Sequence, residues 1–394
     1  ENQEVALRFR TAREDADRIL YRECGSELAL EMVKTSCDAY FDYYECRIRT
    51  GKKQIRYYFE IKKGSGTCIY NRLGVQDEAL TDFAFCITPG FHTPEWAKGA
   101  VMYQIYVDRF CNGDSSNDVE TGEYIYIGQP VQGVKNWEKP LEALDVGYFY
   151  GGDLKGVWEK LDYLQGLGVE VIYFNPIFVL PSNHNYDCQD YEHIDPHYGV
   201  IVKDGGRLLD GLKNPDGGET DRREENKRAT RYITRVTDRE NLDASDAFFA
   251  QFVEEVHRRG MRVILDGVFN HCGSFNKWLD REGVYEGAEG YEPGAYVSEE
   301  SPYHTFFKFH KDKPENWPYN GSYDGWWGHD TLPKLNYEES PKLQEYILNI
   351  ARKWVSPPYS VDGWRLDVAA DLGHSGEFNH YFWQQFRKAV KEAN

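Results

Sequence analysis

The sequence predicts two fold classes in series: an all-β sandwich over residues 1–90, then α/β repeats built on a parallel sheet. Three observations predict it. Residues 1–90 alternate apolar and polar side chains at period two between turn signals, as half-buried strands do. Residues 87–98 then hold Pro89, Gly90 and Pro94, which punctuate the chain and mark a linker. Beyond them, short apolar runs alternate with stretches of helical period, as βα units require.

In order, residues 5–10, 39–46 and 56–61 read as strands, the last after a turn at Thr50, Gly51 and Lys52. Short strands between turns suggest an immunoglobulin-like sandwich. After the linker, 91–99, residues 101–110 form an apolar strand. A helix over 153–168 puts Leu154, Val157, Trp158, Leu161, Leu164 and Leu167 on one face. Asp153 is its N-cap and Gly168 its stop. The strand at 169–178 is continuously apolar, as in a parallel sheet covered on both faces. A helix over 246–259 turns Phe249, Phe252, Val253 and Val256 inward and ends at Gly260. A strand at 262–269, a helix at 340–355, a strand at 364–368 and a helix at 377–392 complete four βα repeats. Such a series builds a barrel or a doubly wound sheet.

Two connections, 179–244 and 270–339, are far longer than such folds usually need. Both leave the carboxyl ends of strands, the functional face of a β/α barrel. Residues 203–241 are charge-dense and read as a surface insertion, partly helical or mobile.

Composition narrows the function classes. The 394 residues carry a net charge of -19, which disfavours nucleic acid and anionic membranes as partners. No run of 18 apolar residues offers a transmembrane helix. Aromatics reach 15 %, with 29 Tyr and 10 Trp, a supply of flat apolar faces for sugar rings or for the core. The eight cysteines lack metal-binding spacing and read mostly as free thiols of a reducing compartment, a disulfide among the first five being the alternative. No signal segment is readable at the start, so a cytoplasmic location is expected, with secretion left open because residue 1 is not Met.

The stretch that carries chemistry is 361–371. Arg365 and Asp367 are two apart, so on a strand they share a face. An Arg beside an Asp favours its ionised form. A fixed carboxylate at a strand end suits nucleophilic attack on an anomeric carbon. A structural ion pair explains the same two residues. A second cluster offers hard oxygen ligands: Asn112, Asp114, Asn117 and Asp118, with Gly151 and Asp153 ahead of the first barrel helix. Calcium takes six to eight such ligands, and an ordinary Asx-rich turn is the alternative.

Asp266-Gly-Val-Phe-Asn270-His271 and Gly363-Trp-Arg365-Leu-Asp367-Val-Ala resemble the first two signatures of the alpha-amylase family. Leu332-Pro-Lys-Leu-Asn336 resembles the motif of the domain inserted after the third strand, in the form of the neopullulanase, cyclomaltodextrinase and maltogenic-amylase branch. Residues 1–90 with 87–96 are similar to the starch-associated N-terminal domain of that branch. The resemblance implies the first half, four β/α units, of a TIM-type (β/α)8 barrel. Barrel units 1–3 would occupy 100–269, the inserted domain 270–339, and unit 4 with its helix 340–394.

The resemblance also implies roles. Asp367 would be the nucleophile and Arg365 its partner. His271 would hydrogen-bond the sugar in the reacting subsite, and Asp266 would support the site. Asn183-His184-Asn-Tyr186-Asp187 resembles the family's His-Lys-Tyr-Asp, so Tyr186 would stack under the reacting ring and His184 would touch that sugar or the next. Trp326 or Trp327 would face the leaving-group side, core packing being the alternative. The branch binds calcium, as a structural ion, with pieces like those at 112–118 and 151–153. The implied substrates are starch oligosaccharides, cyclodextrins or pullulan, and a homodimer of the longer parent is consistent with the branch.

Retaining hydrolysis needs a second carboxyl group as acid and base. The family supplies it from a fifth strand, and four predicted units do not include one, so this chain alone is expected to be inactive and poorly folded. Glu377 and Asp371 are poor substitutes, since both follow the fourth strand. A transglycosylase of the same family and a non-catalytic sugar-binding relative are the competing functions. The residues do not distinguish alpha-1,4 from alpha-1,6 preference.

Overall fold

Alternation in the amino-terminal residues becomes one-sided burial. In Phe41–Arg49 the buried positions are Asp42, Tyr44, Cys46 and Ile48, every second residue, as a half-buried strand requires. The computed structural model describes residues 2–140, 142, 145–209, 219–310 and 323–394. Residues 1–99 and 100–394 form two compact units, so the predicted linker belongs to the first.

That first unit holds a three-stranded antiparallel sheet of Glu4–Ala12, Phe41–Arg49 and Val33–Cys37. Its second sheet has six strands, centred on Arg18–Glu23 and Ile55–Lys63. Leu7, Ile19, Tyr21, Met32, Ile48 and Phe59 form their core. The strand expected at 39–46 starts at Phe41 because Asp38 closes a turn ahead of it, accepting the Tyr40 and Phe41 N–H groups at 2.8 Å each.

The second unit is organised on four parallel strands: β1 (Met102–Ile105), β2 (Val171–Phe174), β3 (Arg262–Gly267) and β4 (Gly363–Leu366). They lie side by side in chain order, with no reversal and hence no topological switch point. The register pairs Met102 with Val171, Val171 with Arg262, and Asp266 with Arg365. The last pairing matters most, because it sets a carboxylate and a guanidinium opposite each other on neighbouring strands.

Each of these strands is shorter than the apolar run predicted for it. β1 gives way to a 3-10 turn at Val107–Arg109. β2 stops ahead of Pro176, which has no N–H to donate; Phe178–Val179 instead pairs antiparallel with Asp190–Ile194. β4 ends at Leu366 because Val368 adopts a left-handed conformation, φ 37°.

The helices are α1 (Leu154–Glu159), α2 (Leu161–Gly166), α3 (Glu219–Asn226), α4 (Thr230–Thr237), α5 (Arg239–Arg258), α6 (Pro341–Val355) and α7 (Gly376–Ala393). The expected helix 153–168 is thus two, broken at Lys160, where ψ rises to 4°. Its caps are as the sequence indicates: Asp153 accepts from the Gly156 N–H at 2.6 Å, and Gly168 has φ 79°. Phe249, Phe252, Val253 and Val256 of α5 are buried. This helix begins at Arg239, capped by Asp238, so the stretch 203–241 includes its first turn.

That stretch is no simple surface insertion. Tyr232 and Val236 of α4 pack with Tyr124, Val131 and Phe275 in a second core, and Tyr124 stacks on Tyr232 at 3.9 Å. Arg235 is buried and pairs with Glu123 at 2.9 Å and Asp204 at 2.9 Å. A buried charge persists only when paired and hydrogen-bonded, and here the dense charge is what permits burial. Positions 210–218 of that stretch fall outside the described residues, as do positions 311–322 of the segment expected as an inserted domain. Elsewhere in that segment, Trp278 and Leu279 join the main core. Among the described residues no helix is long and apolar enough to cross a membrane.

Candidate active site

One nitrogen joins two carboxylates. Arg365 Nη1 lies 2.6 Å from Asp367 Oδ1 and 3.1 Å from each oxygen of Asp266. The strand register delivers Asp266 and Arg365 to the same level. Asp367 follows one residue beyond β4, fixed by its N–H to the Gly267 carbonyl at 3.0 Å. Gly267 cannot be replaced freely, since a Cβ there would sit 2.4 Å from the Phe269 ring. Val368, a β-branched residue in left-handed conformation, is where the chain bends away; such strain persists only where surrounding structure enforces it.

Asp266 is buried and accepts two further hydrogen bonds, from Tyr173 Oη at 2.5 Å and Tyr186 Oη at 3.2 Å. Burial pushes its pKa up to about 6, opposed by the Tyr173 hydroxyl and the Arg365 guanidinium. Burial dominates because removing a carboxylate from water penalises its charged form. Asp367 is less enclosed, its side chain 12 % exposed. Of the two, Asp367 is the carboxylate a ligand can reach, and Asp266 the one that supports.

His271 is neutral. Burial takes its pKa down to about 4. Asn270 Nδ2 donates to its Nδ1 at 3.2 Å, and its Nε2 donates to the Tyr186 carbonyl at 3.0 Å. The Trp326 ring stacks on it, 4.8 Å between centroids and 8° from parallel. A sugar hydroxyl therefore reaches His271 only by replacing the Tyr186 carbonyl. Trp326 Nε1 donates to Asp371 Oδ2 at 2.9 Å, and Lys334 Nζ bridges the Asp371 carbonyl and Asn270 Oδ1 at 2.7 and 3.2 Å. These bonds tie the inserted segment to the chain after β4. Trp327 is 80 % exposed with φ 51°, a ring presented to solvent. In the preceding loop, His184 Nδ1 accepts from the Tyr186 N–H at 3.1 Å, and its Nε2 is 3.4 Å from Tyr126 Oη, which donates to Asp187 at 2.6 Å.

Tyr173 and Tyr126 carry no functional reading in the sequence; Lys334 enters only as part of the Leu332–Asn336 motif and Asp371 only as a poor substitute for the acid. The usable signal for Tyr173 is a hydroxyl inside an aliphatic strand, which needs a partner when buried.

The oxygen-rich loop is equally ordered. Asp153 bridges it to α1, accepting the Asp114 N–H at 2.8 Å and the Gly113 N–H at 3.1 Å. Asn112 Nδ2 contacts Asp118 Oδ1 at 2.7 Å. Gly151 packs so closely that a Cβ would meet Asp118 Oδ1 at 2.4 Å. Asn117 Oδ1 is buried without a hydrogen-bond partner. Burial raises the Asp118 pKa to about 6, with Asp153 and Asp114 adding repulsion. An orphaned acceptor in the same loop as crowded carboxylates is a donor set that suits a hard cation. Side chains of His, Cys, Asp and Glu alone do not assemble a metal cluster among the described residues; Asn and carbonyl oxygens would complete the set.

Comparisons with known proteins bear on the chain as a whole. The alpha amylase catalytic domain family matches residues 104–215 and 243–394, and the alpha amylase N-terminal ig-like domain matches 1–89. An amylopullulanase of Thermoanaerobacterium thermosulfurigenes is 32 % identical over 99 % of this chain and 20 % of its own length. Neopullulanase 2 of Thermoactinomyces vulgaris is 33 % identical over 96 % of this chain and 52 % of its length. The type III pullulan hydrolase from Thermococcus kodakarensis superposes with a TM-score of 0.59 at 29 % identity, covering 99 % of this chain and 57 % of that one. The chain thus spans between a fifth and just over half of these relatives.

Proposed function

The chain belongs to the alpha-amylase family, and from that premise we propose that it carries the nucleophile of a retaining alpha-glucan hydrolase. The observation that carries the reading is the single Arg365 nitrogen shared by Asp266 and Asp367. Asp367 Oδ2 attacks the anomeric carbon; the C–O bond to the leaving sugar breaks, and the glycosyl unit becomes an ester of Asp367. Water then cleaves that ester with return of the original configuration. Arg365 holds the attacking carboxylate, Asp266 holds Arg365, and Tyr186 with His184 forms the floor under the sugar. The names of the relatives, pullulan and cyclomaltodextrin hydrolases, support alpha-glucosidic bonds as the target. The sequential order of β1 to β4 supports their reading as half of a (β/α)8 barrel.

Two partners of the reaction are also proposed. Calcium would be held by Asn112, Asp114, Asn117, Asp118, Asp153 and the Gly151 carbonyl, and would supply cohesion, not chemistry. The general acid would come from outside these four units. Asp266 is enclosed by Arg365, Tyr173 and Tyr186, and Asp371 is engaged by Trp326.

This division gives a test. Fluoride leaves without protonation, so forming the glycosyl ester from an alpha-glucosyl fluoride needs the nucleophile alone, whereas maltotriose needs the acid as well, and rapid hydrolysis of either ester needs the base. The chain is expected to release fluoride and leave maltotriose intact. Equal turnover of both would show that the acid is present among these residues.

A further inference from the structure

A cavity of about 720 Å³ lies apart from the Asp367 cluster, between the α4–α5 junction, residues 289–303 and the start of α6. Its volume is in the range of small-molecule sites. In a β/α barrel the amino-terminal ends of helices lie at the carboxyl ends of the strands, so on the barrel reading proposed above the start of α5 in its wall puts the cavity toward the face that bears Asp367.

Its chemistry is selective. Six carboxylates and three Lys or Arg side chains line it, and each cation is already paired. Lys277, itself buried, binds Asp190 at 2.7 Å and also Glu192. Lys203 binds Glu240 at 2.8 Å, and Arg239 binds Asp243 at 2.9 Å. A phosphate or carboxylate ligand finds no free positive charge. A metal ion would have to displace the Lys277 ammonium from its two carboxylates. Hydroxylated neutral ligands remain. The rings of Tyr291 and Tyr303 are partly exposed on the wall, flat faces suited to a pyranose. Tyr346 Oη and Glu192 form a bonded donor–acceptor pair at 2.6 Å. Asp190, on the floor, is fully buried, yet its Oδ2 lacks any hydrogen-bond partner. Such a buried orphan calls for a donor, and a sugar hydroxyl is one.

We propose that this cavity is a second, non-catalytic binding site for a short neutral oligosaccharide. The choice of an alpha-1,4-glucan as that ligand rests on the function proposed above; the choice of a neutral polyol does not. Occupied together with the Asp367 site, it would hold a longer chain at two points and raise its effective concentration at the nucleophile.

Hydrogen exchange of the unmodified 394-residue chain with and without millimolar maltotetraose tests this. The expected result is slowing of at least about twofold for amides in 233–240 and 289–303, retained in Asp367→Asn and lost in Tyr303→Ala. Protection confined to 184–187, 266–271 and 326 would overturn the second site and leave the catalytic reading intact. Protection at 289–303 by calcium chloride and not by the sugar would overturn it in favour of a cation. Protection at the cavity without any around Asp367, and without fluoride release, would support the second site and sink the catalytic reading.

Discussion

Arg365 does with one nitrogen what two residues would otherwise do, bonding Asp266 and Asp367 at once. Arg presents a rigid planar fork, and Lys a point charge on a flexible stem. Arg365→Lys should keep the charge and lose the geometry, lowering fluoride release by about 10²- to 10³-fold, the range for loss of one positioned electrostatic group. An unchanged thermal midpoint alongside would separate this from unfolding. His271 gives a pH signature. Its folded pKa is about 4, below the ordinary value of about 6.5, so between these values the unfolded chain binds more protons and stability falls as pH falls. The full shift corresponds to up to about 3 kcal/mol. Urea unfolding from pH 7 to 4 should show this slope, and His271→Gln should flatten it. The pairing of Arg365 with Asp367 was legible from their two-residue spacing, although Asp367 itself lies just past the end of β4. Tyr173 was not, because its role depends on its position between Met102–Ile105 and Arg262–Gly267 in the sheet, and register across strands leaves no local trace.

At the scale of elements, the site is held by loops whose ends are tied. Asp153 caps α1 and gathers the Gly113 and Asp114 N–H groups. Asp153→Ala should cost more than about 2 kcal/mol, the sum of a lost cap and orphaned donors. Calcium at 100 times its Kd should stabilise the unmodified chain by about 2.7 kcal/mol, seen as a raised thermal midpoint that chelator reverses. An identical midpoint with and without calcium would remove the ion from the proposal. Helix faces were legible in advance, with Phe249, Phe252, Val253 and Val256 inward, since the helical period records which side is buried. Strand lengths were not: Pro176 and the left-handed Val368 cut apolar runs that periodicity alone reads as continuous. Nor was the burial of Arg235 legible, since its partners Glu123 and Asp204 are distant in sequence and a charge run alone reads as a solvated face.

For the whole molecule, the sandwich and the α/β unit follow from two periodicities and one proline-rich junction. The sequential strand order adds what periodicity leaves open, and it is the observation on which the proposed barrel reading rests. Family membership and the shared guanidinium are the two routes by which Asp367 is proposed as the nucleophile. Neither route identifies a second reactive carboxyl group in these four units. The most direct measurement is peptide mapping of the chain after reaction with a 5-fluoro-alpha-glucosyl fluoride, whose ring fluorine slows release of the glycosyl ester. A single adduct on the peptide containing Asp367, absent from Asp367→Asn, is the expected result; an adduct on Asp266, Asp371 or Glu377, or undiminished labelling of Asp367→Asn, would contradict it.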